Sequence, residues 1–188
     1  SEGANMDDAA THLRSIFDSH PDTTRKLRAL WCLASINAVS EAWLMRQLQH
    51  PDEHVRLWSI QFLVQSSADS AVVAAALESI ATDEPSPLVR LYLASAMQKL
   101  PPSRRWGVAE ALVQYAQDTN DHVQPLMIWY GIEPAVSLNP SKALALADAT
   151  VFPIIRRHVS RLLASDIDKT PEHITQLLKA ASQSKPST

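Results

Sequence analysis

His50-Pro51-Asp52-Glu53-His54-Val55-Arg56-Leu57-Trp58 returns 34 residues later as Glu84-Pro85-Ser86-Pro87-Leu88-Val89-Arg90-Leu91-Tyr92. In both stretches a turn with proline leads into a Val-Arg pair, a leucine and an aromatic. An earlier copy runs from His20-Pro21-Asp22 to Leu27-Arg28-Ala29-Leu30-Trp31, and Gln124-Pro125-Leu126-Met127-Ile128-Trp129 and Pro153-Ile154-Ile155-Arg156-Arg157 continue the series. Self-similarity at a period of about 30 to 35 residues marks a repeat architecture, in which each unit buries its apolar face only by stacking on its neighbours.

Outward from that stretch, apolar residues spaced three and four apart divide the chain into helices near 7–18, 22–36, 40–49, 52–66, 70–82, 86–99, 102–117, 124–136, 140–149, 152–165 and 171–182. Ser86-Pro87, Asn139-Pro140, Phe152-Pro153 and Thr170-Pro171 supply the start signals, because proline suits the first helical turn. No run alternates apolar and polar residues long enough to make a strand. The expected fold is all-α: an α-α superhelix of about five stacked hairpins, each an outer helix, a short turn and an inner helix. One domain is expected over residues 1–182, with 183–188 a disordered tail.

Composition agrees. The 188 residues include 3 glycines and 12 prolines, where average usage would give about 13 glycines. Glycine-rich phosphate loops and tight sheet turns are therefore out of reach. Seventeen basic and 20 acidic side chains give a formal charge of −3, without the positive field of a protein held by phosphates, so no nucleic-acid partner is expected. No apolar stretch is long enough to span a bilayer, so no membrane insertion is expected. Cys32 is alone and set in an apolar run, which reads as a small buried hydrophobe.

The "Pro, acidic, Val-Arg, apolar" signature resembles the HEAT repeat family, which implies a HEAT-like solenoid. Tetratricopeptide repeats share the 34-residue period but need a Trp-Leu-Gly-Tyr pattern that is missing. More specifically, Asp52 to Trp58, Ser86 to Ala96, Arg105-Trp106 and Pro125 to Pro134 resemble the helical region of large planctomycete-type multidomain proteins. In that family a membrane-bound dehydrogenase-like propeller precedes HEAT repeats, and a cytochrome c domain follows. The resemblance implies a non-catalytic spacer or protein-interaction scaffold in a larger, exported or periplasmic protein, with the flanking domains or a separate protein as partner. Neither flanking chemistry transfers: haem attachment needs a Cys-x-x-Cys-His, so no cofactor is expected here.

His50-Pro51-Asp52-Glu53-His54 formally matches the H-x-x-E-H pattern of zinc peptidases. Pro51 pushes His50 toward an extended backbone, so the two imidazoles need not share a helical face, and no metal or catalytic residue is expected. Trp31, Trp58, Tyr92 and Trp129 fall near equivalent inner-helix positions. They read as core filling between hairpins rather than as a platform for bases, sugars or flat ligands. Arg56 and Arg90 are repeat equivalents, expected to bridge to a carbonyl or carboxylate of a neighbouring hairpin, with Asp52, Glu53, Asp83 and Glu84 as candidate partners.

The candidate partner-binding residues are Trp129, Tyr130, Glu133, Arg156, Arg157 and Arg161. Gly131 and Pro134 should bend or shorten their helix and turn Trp129, Tyr130 and Glu133 toward a groove, while Arg157 and Arg161 share a face. The rival class is enzymatic. HEAT-like DNA glycosylases, or other nucleic-acid-binding solenoid enzymes, place tryptophans and a carboxylate on a concave basic surface, and the acidic charge balance opposes that reading.

Overall fold

The computed structural model describes residues 2–165, with side chains from Met6 onward. The expected helix at 171–182 and the tail at 183–188 lie outside the described residues. Among the described residues there are ten α-helices and no strand, as the periodicity requires. They are α1 (Glu2–Ser19), α2 (Thr23–Ser35), α3 (Glu41–Gln47), α4 (Glu53–Ser67), α5 (Ala71–Asp83), α6 (Pro87–Met97), α7 (Trp106–Leu112), α8 (Gln124–Val136), α9 (Pro140–Ala149) and α10 (Pro153–Ser165). The chain divides at Ser67/Ala68 into two compact units.

In the first unit α1 packs on α2, α3 on α4, and α2 on α4. Leu30, Leu33, Leu44, Val55, Ile60 and Leu63 form its core, all within 1% of complete burial. Phe17 and Trp43 meet edge to face with ring centroids 4.9 Å apart. In the second unit α5, α7 and α9 make one layer, and α6, α8 and α10 make the other. Leu77, Val89, Leu93, Ile128, Ile132 and Ile155 are fully buried there. Each such side chain removed from water contributes about 1.5–3 kcal/mol, which is how hairpins too short to be stable alone become stable together.

Helix starts follow the local chemistry. Asp22, Ser40, Ser70, Ser86 and Asn139 each accept a backbone N–H of the first turn with a side-chain oxygen. The end of α2 is equally defined. Asn37 adopts φ 54°, Ala38 N–H donates to Leu33 C=O and Asn37 N–H to Ala34 C=O. That pair of bonds is a Schellman stop, in which Asn tolerates the left-handed conformation nearly as well as glycine.

Three expectations need correction. The single helix at 102–117 is instead a 3-10 turn at Pro102–Arg104, then α7, then a second 3-10 turn at Ala116–Asp118. Tertiary anchors interrupt it: Arg105 is held by Leu100 and Gly131 carbonyls at 2.8 and 2.7 Å, and the Tyr115 hydroxyl donates to Ala81 C=O at 2.8 Å. Helix α8 does not stop early, but runs through Gly131 and Pro134 to Val136. Gly131 serves close packing instead, since a Cβ there would sit 3.1 Å from Met97 Cβ and 3.4 Å from the Ala94 carbonyl on α6. Finally, Cys32 is exposed on α2 rather than buried.

Candidate functional site

The turns between paired helices carry most of the polar chemistry. In four of them a side chain before the turn accepts the backbone N–H two residues on, which fixes the turn ahead of the cap. His20 Nδ1 takes Asp22 N–H and His50 Nδ1 takes Asp52 N–H, both at 3.0 Å, while Glu84 Oε1 takes Ser86 N–H at 2.9 Å. Thr150 Oγ1 does the same for Phe152 N–H at 3.1 Å. His50 is thus committed to its own turn, and among the described residues no group of three His, Cys, Asp or Glu could hold a metal ion.

Four residues into the helix that follows each of these four turns, a long cation reaches back to carbonyls of the turn or of the last part of the preceding helix. Arg56 Nη1 donates to His50 and Pro51 C=O at 2.9 and 3.1 Å, and Arg90 Nη1 to Glu84 and Pro85 C=O at 2.9 and 3.0 Å. Arg156 donates to Ala147 C=O at 2.9 Å. In the first hairpin the residue doing this is Lys26, whose Nζ reaches Phe17 and Asp18 C=O, and not Arg28 as the alignment of the Leu-Arg pair suggested. Such charge-assisted bonds satisfy carbonyls that a helix end leaves without a donor.

Arg90 goes further. Its Nε and Nη2 meet Asp118 Oδ2 and Oδ1 at 2.7 and 2.6 Å, and its guanidinium lies 4.4 Å from the Tyr115 ring centre. Arg90 is 1% and Asp118 6% exposed, so this is a buried bidentate pair. The expectation of a partner across hairpins holds, but the carboxylate is Asp118, which lies past the end of the predicted 102–117 helix and carried no signal in the repeat.

Several carboxylates are held ionised. Burial raises Asp52, but hydrogen bonds from the Thr23 hydroxyl and the His54 and Val55 N–H groups outweigh it and leave the carboxyl below its usual range. The N–H groups of Gln124 and Val123 lower Asp121 in the same way. Burial first, and then the Lys26 charge, hold His50 below an ordinary imidazole.

The candidate partner-binding residues lie on α8 and α10. Trp129 is buried at 6% exposure and stacks on His158, 5.0 Å between ring centres and 19° between planes. Tyr130 is half exposed, and Glu133, Arg157 and Arg161 are exposed. The exposed Arg156 is spent on its turn. Arg157 also lines a cleft of about 310 Å³ with Asp121, His122 and Ile154.

The aromatic series does not form one buried set. Trp31 stands nine residues after Asp22, the residue before α2, whereas Trp58, Tyr92 and Trp129 each stand six after the residue before their helix, Asp52, Ser86 and Val123. Trp129 is covered, while Trp31, three residues further along its helix, remains 40% exposed. Trp31 and Trp58 meet edge to face at 5.1 Å, and Phe62 lies 5.7 Å beyond Trp58. The three rings line a cleft of about 600 Å³ in the first unit together with Asn37 and Gln65. The core reading of Trp31 is therefore overturned. The sequence carried one usable signal for this cleft, the aromatic at i+4 from Trp58 on α4.

Helices paired through capped turns, four of them locked by a basic residue, define an all-α HEAT-like repeat protein. Residues 10–98 match the family described as HEAT repeats, so the chain carries a HEAT-repeat region. No curated protein and no solved structure matches it. Among the described residues no helix is long and apolar enough to cross a membrane.

Proposed function

We propose that the chain is a non-catalytic scaffold and protein-interaction module, which in a larger protein holds an oxidoreductase-like propeller and a haem-binding domain apart. The observation that supports this most is where the buried cations go. Arg90 and Arg105 are both nearly inaccessible, and their guanidinium groups are engaged by turn carbonyls and Asp118. Their charge stiffens the hairpins rather than facing a reacting group.

The surface left for a partner is on α8 and α10. Tyr130, Arg157 and Arg161 are the residue types that dominate protein interfaces, and the Trp129–His158 stack ties their two helices together. A rigid, part-aromatic patch loses little side-chain freedom on binding.

A photocrosslinking residue in place of Tyr130 in the full-length protein tests this reading. It should capture a flanking domain, and Arg157→Glu with Arg161→Glu should abolish the capture. Reaction with solvent alone would overturn the assignment. In parallel, the isolated chain should not retard double-stranded DNA at low salt, and salt-sensitive retardation would replace the scaffold reading with the glycosylase class.

A further inference from the structure

The cleft of the first unit has a composition that selects its ligand. Trp31, Trp58 and Phe62 form a row whose successive ring centres are 5.1 and 5.7 Å apart. Its polar lining comes from Ser35, Asn37, Gln65 and Ser66, and no charged side chain lines it. An anion would lose its hydration there with nothing opposite in charge to replace it.

Donors and acceptors are balanced around those rings. The Ser35 hydroxyl donates to Cys32 C=O at 2.8 Å and the Ser66 hydroxyl to Phe62 C=O at 2.9 Å, which leaves their oxygens to accept. Among the described residues nothing takes the indole N–H of Trp31 or Trp58, or the amides of Asn37 and Gln65. Each amide offers donors and an acceptor, and each indole one donor. A polyproline segment presents carbonyls but no N–H, so it would leave the acceptors unmatched. A sugar hydroxyl both gives and takes a hydrogen bond, and the axial C–H face of a pyranose lies flat on an indole. The volume of about 600 Å³ falls within the range of small-ligand sites.

We infer that this cleft binds a neutral carbohydrate of one or two pyranose rings, stacked on the exposed indole of Trp31 and held at its edge by Asn37 and Gln65. Asn37 is well placed for this. It occupies the left-handed position that ends α2, where glycine would fit the backbone but supply no amide.

Asn37→Gly therefore removes the proposed contact while keeping the turn. The test is saturation-transfer NMR of the whole chain against neutral disaccharides of glucose, galactose, mannose and N-acetylhexosamine in α and β linkage, with decaproline as competitor class. At least one disaccharide should bind saturably, and both Trp31→Ala and Asn37→Gly should weaken it roughly tenfold with thermal unfolding of Asn37→Gly unchanged or raised. Saturation by decaproline alone would overturn the inference in favour of a peptide ligand. Absence of binding across the panel, or binding indifferent to both substitutions, would also overturn it. None of these outcomes touches the patch on α8 and α10, so the protein-interaction reading stands or falls separately.

Discussion

In the first unit the residue ahead of each helix-pairing turn is a histidine, His20 or His50, and in the second it is Glu84, Asp121 or Thr150, yet each accepts the backbone N–H two residues on. The locking cations differ too. Lys26 and Arg56 are part-exposed in the first unit, whereas Arg90 is 1% exposed and clamps Asp118 with two hydrogen bonds. Aromatic placement follows the same division: Trp31 and Trp58 open a cleft, while Trp106 and Trp129 are enclosed. One repeat pattern thus yields a second unit with a buried cation clamp at Arg90, and a first unit whose turn-locking groups are part-exposed and whose Trp31 and Trp58 line an open cleft.

The sharpest way to break that comparison is to remove one turn carboxylate from each unit. Asp118→Ala leaves the Arg90 guanidinium buried with only turn carbonyls, and losing one partner of a buried pair costs about 3–5 kcal/mol. Asp52→Ala removes a helix cap and the Thr23 hydrogen bond on a part-exposed turn, for a loss of about 1 kcal/mol. Denaturant midpoints of the two variants should differ accordingly, and equal losses would show that the second unit is not the better locked.

Tryptophan truncation gives the next effect. Trp129→Ala opens a hole beside His158 and should cost about 3 kcal/mol. Trp31 is already 40% exposed, so Trp31→Ala should cost about 1 kcal/mol or less. Amide exchange resolved along the chain reads both, with loss of protection confined to the unit mutated. A Trp31 variant as damaging as the Trp129 variant would mean that the first-unit aromatics are core after all.

How much of this was legible in the sequence depends on what each feature rests on. Helix positions were, because apolar spacing and cap-plus-proline signals are local. The interruption at Arg105 and the partnership of Arg90 with Asp118 were not, since both depend on which turn the fold brings alongside. The aromatic series misled because Trp31 stands three residues further along its helix than Trp58, Tyr92 and Trp129 do along theirs, and because cover at one helix position depends on which neighbour packs there: Trp58 lines a cleft and Trp129 is buried. Of the candidate residues, Arg156 could have been set apart beforehand. It stands five residues after Val151, as Arg56 does after Pro51 and Arg90 after Pro85, which assigns it to turn locking.

The smallest difference between the units is in their response to acid. Burial and Lys26 hold the His50 imidazole below its ordinary value of 6.5, so the unfolded chain takes up that proton at a higher pH than the folded one. The sign follows: His50 leaves stability unchanged above about pH 6.5, and stability falls as pH drops through that value toward the lower folded-state value. Arg56 adds to the opposition to a charged imidazole, while Asp52 partly offsets it. At the corresponding place before α10 the second unit has Thr150, which does not titrate. Between about pH 7.5 and 5.5 amide protection in α4 should therefore decline while that in α10 holds, and His50→Gln should flatten the α4 profile. A decline of equal size in both helices, unaffected by His50→Gln, would remove histidine from the distinction between the units and leave burial of the cation clamp to carry it alone.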